Sequence, residues 1–317
     1  MLRFKAELFA LLAVVAPLNL FAEQWANVAA DSSLPQGKGL ADRFVADAGI
    51  AGNSSVIFAE DFEQSDYQKN WQDVRDDGGV LTLVTAPSSF RSDAPANERF
   101  APVGKRSLQV TARLTKNTGG GLTKWFESND RLFIRFYVRF DKDVDYIHHF
   151  CTLRANKATH GKDAWSGFGG AGLKPLGSDR FSTALEPWGN WGKNPAPGKW
   201  HFYSYWQDMK PSPDGNYWGN AFDAEDERPI KKEEWICAEF MLKHNTPGKP
   251  DGEQAWWIDG KLIGHFKGIN WRASGDLWAN AFTLESYVTD RWTKQETNRV
   301  WFDNVVIARD YIGPAGL

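Results

Sequence analysis

From residue 55 onward, apolar and polar positions alternate in segments of five to nine residues, and clusters of Gly, Pro, Asn or Asp separate those segments. That is the pattern of strands and turns. The plainest segment is 132–140. Leu132, Ile134, Phe136, Val138 and Phe140 fall on one face, and Phe133, Arg135, Tyr137 and Arg139 on the other, because successive side chains of a strand point to opposite sides. Residues 200–207 set Trp200, Phe202, Ser204 and Trp206 against His201, Tyr203, Tyr205 and Gln207. Residues 235–243 set Ile236, Ala238, Phe240 and Leu242 against Cys237, Glu239, Met241 and Lys243. Further strands are predicted at 107–114, 181–186, 280–287 and 299–308. Asp259-Gly260, between 255–258 and 261–266, is the residue pair of a two-residue hairpin. No segment beyond residue 55 keeps a long 3.6-residue apolar period. About a dozen strands in one unit spanning 55–314 predict an all-β fold of two stacked sheets, a jelly roll or β-sandwich. Residues 23–54, a mixture rich in Ala, Asp, Ser and Gly, are expected to form a peripheral leader, partly helical around 41–48.

The first residues break this pattern. Arg3 and Lys5 precede an apolar run over 8–16 that resumes after Pro17, with small residues at Ala22 and beyond. Residues 1–22 therefore read as a secretory signal peptide. Pro17 and Asn19 interrupt the run short of the ~20 residues of a spanning helix. The expected mature chain is secreted or periplasmic, without membrane association. Export would place Cys151 and Cys237 in an oxidising compartment, where they either pair or stay as two buried thiols.

Composition narrows the function classes. Lys plus Arg number 37 and Asp plus Glu 40, a net charge of −3, which is too balanced for a general nucleic-acid binder. A 42% apolar and 14% aromatic content excludes a disordered chain. Two cysteines exclude a disulfide scaffold and a Cys-based zinc module. Trp outnumbers Tyr, 16 to 8, and Trp165, Trp188, Trp191 and Trp218 lie in Gly-rich loops, where they are expected to form a sugar-stacking rim. Gly119-Gly120-Gly121 lacks the Gly-Lys-Ser/Thr ending of a phosphate loop, and neither Gly-x-Ser-x-Gly nor His-Glu-x-x-His occurs. His148 and His149 are adjacent, so on a strand they would point to opposite faces and make a poor joint metal site. The Glu-x-Asp-x-x-Glu strand of many sandwich-fold glycosidases is missing, and Glu225 and Glu227 fall in a charged loop stretch.

The polar faces of the strands carry the candidate chemistry. Arg135, Tyr137 and Arg139 stand on one, His201, Tyr203, Tyr205 and Gln207 on a second, Thr283, Glu285 and Tyr287 on a third. Were these strands neighbours, they would line a cationic, aromatic cleft suited to an acidic polysaccharide. Arg neutralises a carboxylate by paired hydrogen bonds. Elimination next to a uronate needs that neutralisation, a base for the C5 proton and an acid for the leaving oxygen, roles open to His or to a Tyr made more acidic by neighbouring Arg.

Several stretches resemble the concanavalin A-like jelly-roll polysaccharide lyases, especially glucuronan lyases and the fungal cellulose-induced secreted proteins similar to them. These are Asp61-Phe62-Glu63, the strand 133–140, Trp257-Ile258-Asp259-Gly260-Lys261, Thr283-Leu284-Glu285-Ser286-Tyr287, and Trp301-Phe302-Asp303-Asn304-Val305 with Tyr311-Ile312-Gly313 after it. They are scattered over roughly 55–314. The resemblance implies a cleft on the concave sheet, with the family's cleft residues falling on Arg135, Tyr137, Arg139, Glu285 and Tyr287, and its cleft histidine on His148 or His149. It also implies a structural Ca²⁺ joining the first and last strands through Glu63 and Asp303. Val103-Gly104-Lys105-Arg106 departs from that pattern by placing cations where small polar ligands are needed, so Lys105 is expected in place of the ion and no cofactor is required.

The reading is thus a secreted lyase acting on a uronate-containing polysaccharide. Arg135 and Arg139 would neutralise the carboxylate, Tyr287 or one of His148, His149 and His201 would exchange protons, and Tyr137, Tyr203, Tyr205, Glu285, Trp188 and Trp191 would bind substrate. The alternatives are a non-catalytic carbohydrate-binding protein with the same cleft, and a glycoside hydrolase pairing Glu285 with Glu186 or Glu239.

Overall fold

In the computed structural model, residues 25–86, 104–224 and 228–316 are described. The signal peptide expected at 1–22, and Glu225 and Glu227, lie outside them. Fifteen strands among these residues pair antiparallel in two stacked sheets. The first sheet is built from β1 (Val56–Glu60), β3 (Leu81–Thr85), β4 (Arg106–Arg113), β6 (Arg131–Phe140), β11 (Trp235–Lys243), β12 (Gly252–Ile258), β13 (Lys261–Ile269) and β15 (Thr297–Ala308). Its order is β13-β12-β11-β6-β15-β4-β3, with β1 beside the second half of β15. The second sheet is built from β2 (Asp73–Arg75), β5 (Gly119–Trp125), β7 (Thr152–Asn156), β8 (Phe181–Trp188), β9 (Lys199–Tyr205), β10 (Asn220–Asp223) and β14 (Trp278–Tyr287), in the order β10-β9-β8-β7-β14-β5-β2.

Alternation puts the expected apolar faces between the sheets. Leu132, Ile134, Phe136, Val138 and Phe140 of β6 and Trp200 and Phe202 of β9 are buried in one core. Phe136 stacks on Phe282 across the gap, with centroids 6.5 Å apart, and Phe202 meets Trp256 edge-on at 5.1 Å. Burying such rings supplies most of the drive for sheet-on-sheet packing. The hairpin between β12 and β13 turns at Asp259 and Gly260, both with positive φ, which is why that residue pair marks it.

The segment expected to be a peripheral leader is a third layer. Its 3₁₀ turns at Ala29–Asp31, Leu40–Arg43 and Ile50–Gly52 lie against the outer face of the first sheet. Leu40, Ala41 and Ile50 pack with Phe133, Met241, Trp257, Val306 and Tyr311. Leu40 and Ala41 donate their N–H groups to the carbonyls of Tyr311 and Ile312, and the Trp257 indole donates to Pro35. This strap and the residues after β15 together cover the polar face of β6.

That cover overturns one set of site residues. Arg135 is fully buried and paired with Asp47 of the strap, whose carboxylate also accepts from Asn304. The Tyr137 hydroxyl is fully buried and accepts the N–H of Ala315 at 2.8 Å. Burial pushes that phenol well above its ordinary range despite Arg135, so it is not an acidified tyrosine. Arg139 lies 5.1 Å over the Trp301 ring on the same sheet. Glu239 accepts the N–H groups of Ile312 and Gly313. All four are on the sheet away from Tyr287. The alternation in 132–140 is as expected, but the second face of a strand is a cleft only if nothing else covers it. Cys151 and Cys237 are buried free thiols. Cys237, on β11, faces the outer layer, and Cys151, just before β7, faces the core, so the pairing alternative fails.

Candidate functional site

The face of the second sheet turned away from the core gathers the remaining candidates. Strand register sets them in rows. Asp223, His201 and Glu186 stand side by side on β10, β9 and β8. Glu285, Gly121 and Arg75 continue across β14, β5 and β2. One row further along, Tyr203, Ala184, Thr152, Thr283 and Thr123 form a floor of mostly small side chains.

Two arginines meet on one carboxylate there. Arg154 Nη2 lies 3.1 Å from Glu285 Oε1 and its Nη1 donates to Thr283 Oγ1 at 2.7 Å. Arg75 Nη2 lies 2.5 Å from Glu285 Oε2. Arg75 must cross Gly121 to reach it, and a Cβ on Gly121 would stand 2.7 Å from Glu285 Cβ, so glycine keeps the crossing open. Burial would raise the Glu285 pKa, but Arg154 and Arg75 outweigh it and hold the carboxyl below its ordinary value. The trio carries one positive charge in excess on a face where the Glu285 side chain is only 7% exposed.

Beside it, a second carboxylate is shared by two histidines. Glu186 has His201 Nε2 at 3.6 Å and His149 Nδ1 at 4.0 Å, and His201 Nδ1 lies 3.5 Å from Asp223. Burial opposes charge on Glu186, His201 and His149, yet the pairing prevails. Glu186 is held below its ordinary value by His149 and His201. His201 is raised by Asp223 and Glu186, and His149 by Glu186. The His149 ring, on a side chain 46% exposed, lies nearly parallel to Tyr287 at 6.1 Å.

The two adjacent histidines do not alternate as a regular strand would make them. The N–H groups of both His148 and His149 point to the one carbonyl of Tyr287. This bulge-like irregularity brings the rings to 4.2 Å, both against Tyr287. Burial, then the neighbouring His149, pushes His148 down to about 4, so it is neutral where His149 still binds a proton.

The structure therefore brings together Glu285, Tyr287, His148, His149, His201, Tyr203 and Tyr205 on one face, with Trp188 and Trp191 at its end, and leaves Arg135, Tyr137 and Arg139 on the other sheet. Sequence reasoning missed Arg154 and Arg75 and gave Glu186 only to the hydrolase alternative. Leu153 and Ala155 alternate with Thr152, Arg154 and Asn156, a short signal that would have found Arg154. Arg75 sits in a three-residue strand that carries no such signal.

Of the two carboxylates implied as calcium ligands, Glu63 is engaged by backbone donors and Asp303 only in part. Glu63 Oε1 accepts the backbone N–H groups of Lys105 and Arg106. Asp303 is buried, one oxygen accepts the N–H of Asn304 while the other has no hydrogen-bond partner, and burial raises its pKa well above the ordinary carboxylate value. Among the described residues no group of three or more His, Cys, Asp or Glu is placed to hold a metal ion. Backbone N–H groups of the Lys105 turn take the carboxylate where the sequence suggests the Lys105 ammonium.

No protein-family model matches the chain, and comparison with curated proteins finds no match. Solved structures do match. An alginate lyase from a Chlorella virus superposes over 76% of this chain and all of its own at 17% identity, with a TM-score of 0.50. A marine alginate lyase from Aplysia kurodai superposes over 81% of this chain and all of its own at 12% identity, with a TM-score of 0.53. An endo-β-1,4-glucuronan lyase from the fungus Trichoderma reesei covers 80% of this chain and 95% of its own at 16% identity, with a TM-score of 0.45. At these identities the likeness is one of fold, the jelly roll of polysaccharide lyases.

Proposed function

We propose that the protein is a lyase that cleaves a uronate-containing polysaccharide by β-elimination. The observation that carries this is the convergence of Arg154, His149 and Tyr287 on one open sheet face. The excess positive charge of the Arg75–Arg154–Glu285 trio attracts the substrate carboxylate and stabilises the enolate charge that develops on it. His149, its Nδ1 side turned to Glu186, takes the C5 proton with its other nitrogen. As that C–H bond breaks, a C4–C5 double bond forms and the C4–O4 bond opens. Tyr287, stacked beside His149, gives its proton to the departing O4. No proton is gained or lost overall once His149 returns its proton to Tyr287.

The directions of the two carboxyl pKa values favour elimination over hydrolysis. A glycosidase needs one carboxyl held protonated as general acid, whereas Glu186 and Glu285 are both held below their ordinary values. The matched lyases act, by their names, on alginate and glucuronan, which supports an acidic polysaccharide as substrate. Export from the cell, expected from residues 1–22, suits a polymer too large to enter it.

Incubating the protein with polymannuronate, polyguluronate and polyglucuronate and following absorbance of the unsaturated product tests the reading. Wild type is expected to produce it, and Tyr287→Phe and Arg154→Ala to lose about 10²–10³-fold in kcat/KM. Reducing ends released without unsaturation, or no turnover on any polyuronate, would sink it.

A further inference from the structure

At the Tyr287 end of the open face three indoles meet outside the catalytic row. Trp188, at the end of β8, stacks on His201 with centroids 5.5 Å apart and planes within 5°. Trp191 and Trp292 stand edge-on to Trp188 at 5.7 and 6.1 Å and to each other at 4.8 Å, so the cluster forms a corner. Trp191 is 66% exposed. Packing gains little from an indole left in water.

The loop nevertheless holds Trp191 there at a cost. Asn190 and Trp191 both have left-handed backbone, with φ of 45° and 58°, a conformation that costs about 1–2 kcal/mol for each residue bearing a side chain. The loop is pinned in that shape. Gly192 and Asn194 donate to the carbonyl of Gly189, the Asn194 amide donates to Trp188, and the Tyr146 hydroxyl donates to the Asn194 carbonyl. Gly189 lies so close to the Tyr146 ring that a Cβ would stand 2.4 Å from it. The Trp292 loop is tied to the same anchor, since Thr293 Oγ1 donates to the Tyr146 carbonyl. Two loops fixed to one tyrosine thus present an open ring face that contributes nothing to the core. Backbone strain kept to expose a side chain points to a ligand.

We infer that the Trp191–Trp292 corner is a binding subsite for a uronic-acid pyranose ring of the polymer, next to the residue being cleaved. The apolar face of the sugar stacks on Trp191. The Arg291 guanidinium, packed 4.9 Å over the Trp292 ring and exposed to solvent, faces the carboxylate of the same sugar. Trp188 connects the subsite to the catalytic row, because it stands two residues beyond Glu186 on β8, about 6–7 Å along the strand, and covers His201. The inference rests on the proposed reading of the open face as a polyuronate site, but concerns binding and not turnover.

Affinity electrophoresis in gels containing polymannuronate, polyglucuronate or a neutral mannan, together with steady-state kinetics on the retarding polymer, tests it. Wild type is expected to be retarded by a polyuronate more than by mannan. Trp191→Ala is expected to lose most of that retardation and to raise KM about tenfold or more, with a much smaller change in kcat, while Trp191→Phe restores most of both. Arg291→Ala is expected to narrow the difference between polyuronate and mannan. An unchanged melting temperature in each variant establishes that the fold is intact. Retardation that depends on Trp191 without any turnover keeps the subsite and overturns the lyase reading. Turnover with Trp191→Ala equal to wild type in KM and retardation overturns the subsite and keeps the lyase. Absence of retardation of the wild type by every polymer overturns both.

Discussion

Arg135 and Arg154 are the same residue type on strands of the same sandwich, and their surroundings give them opposite meanings. Arg135 is fully buried against Asp47, whereas Arg154 reaches Glu285 on an open face. Removing Arg135 strands the Asp47 carboxylate in the interior, so Arg135→Met should destabilise the fold by about 3–5 kcal/mol. Activity per folded molecule should hold, as denaturant melts and active-fraction assays on one preparation would show. Glu186 is expected to act through His149. Because Glu186 raises the His149 pKa above its ordinary 6.5, His149 is free to take a proton only above that raised value, and kcat/KM should climb with pH through a midpoint higher than 6.5. Glu186→Gln removes the cause, so the midpoint should move to lower pH while the alkaline limb stays in place. A pH–rate profile of the two proteins with an unmoved acid limb would remove Glu186 from this role.

At the scale of elements, the strands with long alternation were legible and the short ones were not. β6, β9, β11, β14 and β15 follow from residues 132–140, 200–207, 235–243, 280–287 and 299–308 within two residues at each end, because each buries a full apolar face. β2 and β10 span three and four residues, too few for a period to show, and β5 opens on three glycines that read as a turn. These short strands hold Arg75, Asp223 and Gly121, and β7 holds Arg154, so the histidines, tyrosines and Glu285 of the site could be named from the sequence while its cations could not. The strap was illegible for a different reason. Its contacts are single anchors, such as Ser32 Oγ at 2.8 Å from His265 Nδ1, rather than a period. His265 Nε2 in turn meets Glu253 at 2.8 Å, and Lys243 stands 3.0 Å away on the other oxygen. His265 and then Lys243 hold the Glu253 carboxyl down at about 2, against an ordinary 4.5. A carboxyl depressed on folding stabilises above its unfolded pKa and loses that contribution as pH falls through the folded one. Glu253→Gln should therefore melt earlier than wild type at pH 7, by at most about 3 kcal/mol. The gap should close between pH 4.5 and about 2, which thermal melts across that window would measure.

For the whole molecule, we expect the two sheets to hold together without a metal. Glu63 is held by backbone N–H groups and Asp303 by burial, so chelation with excess EDTA should leave the melting temperature within about 1 °C. A drop of several degrees, of the size that losing 1 kcal/mol or more produces, would overturn that assignment. Chain order within the sheets has a separate consequence. β14 lies between β7 and β5, and β15 lies between β6 on one side and β4 and β1 on the other, yet they are the last two strands to be made. Until residues 278–308 are available each sheet is split down its middle, and the strap has no Tyr311 or Ile312 to grip. The growing chain thus holds separate half-sheets with open edges, and a lone half-sheet has nothing to close against. The fold can therefore lock only when nearly all of the chain has been synthesised.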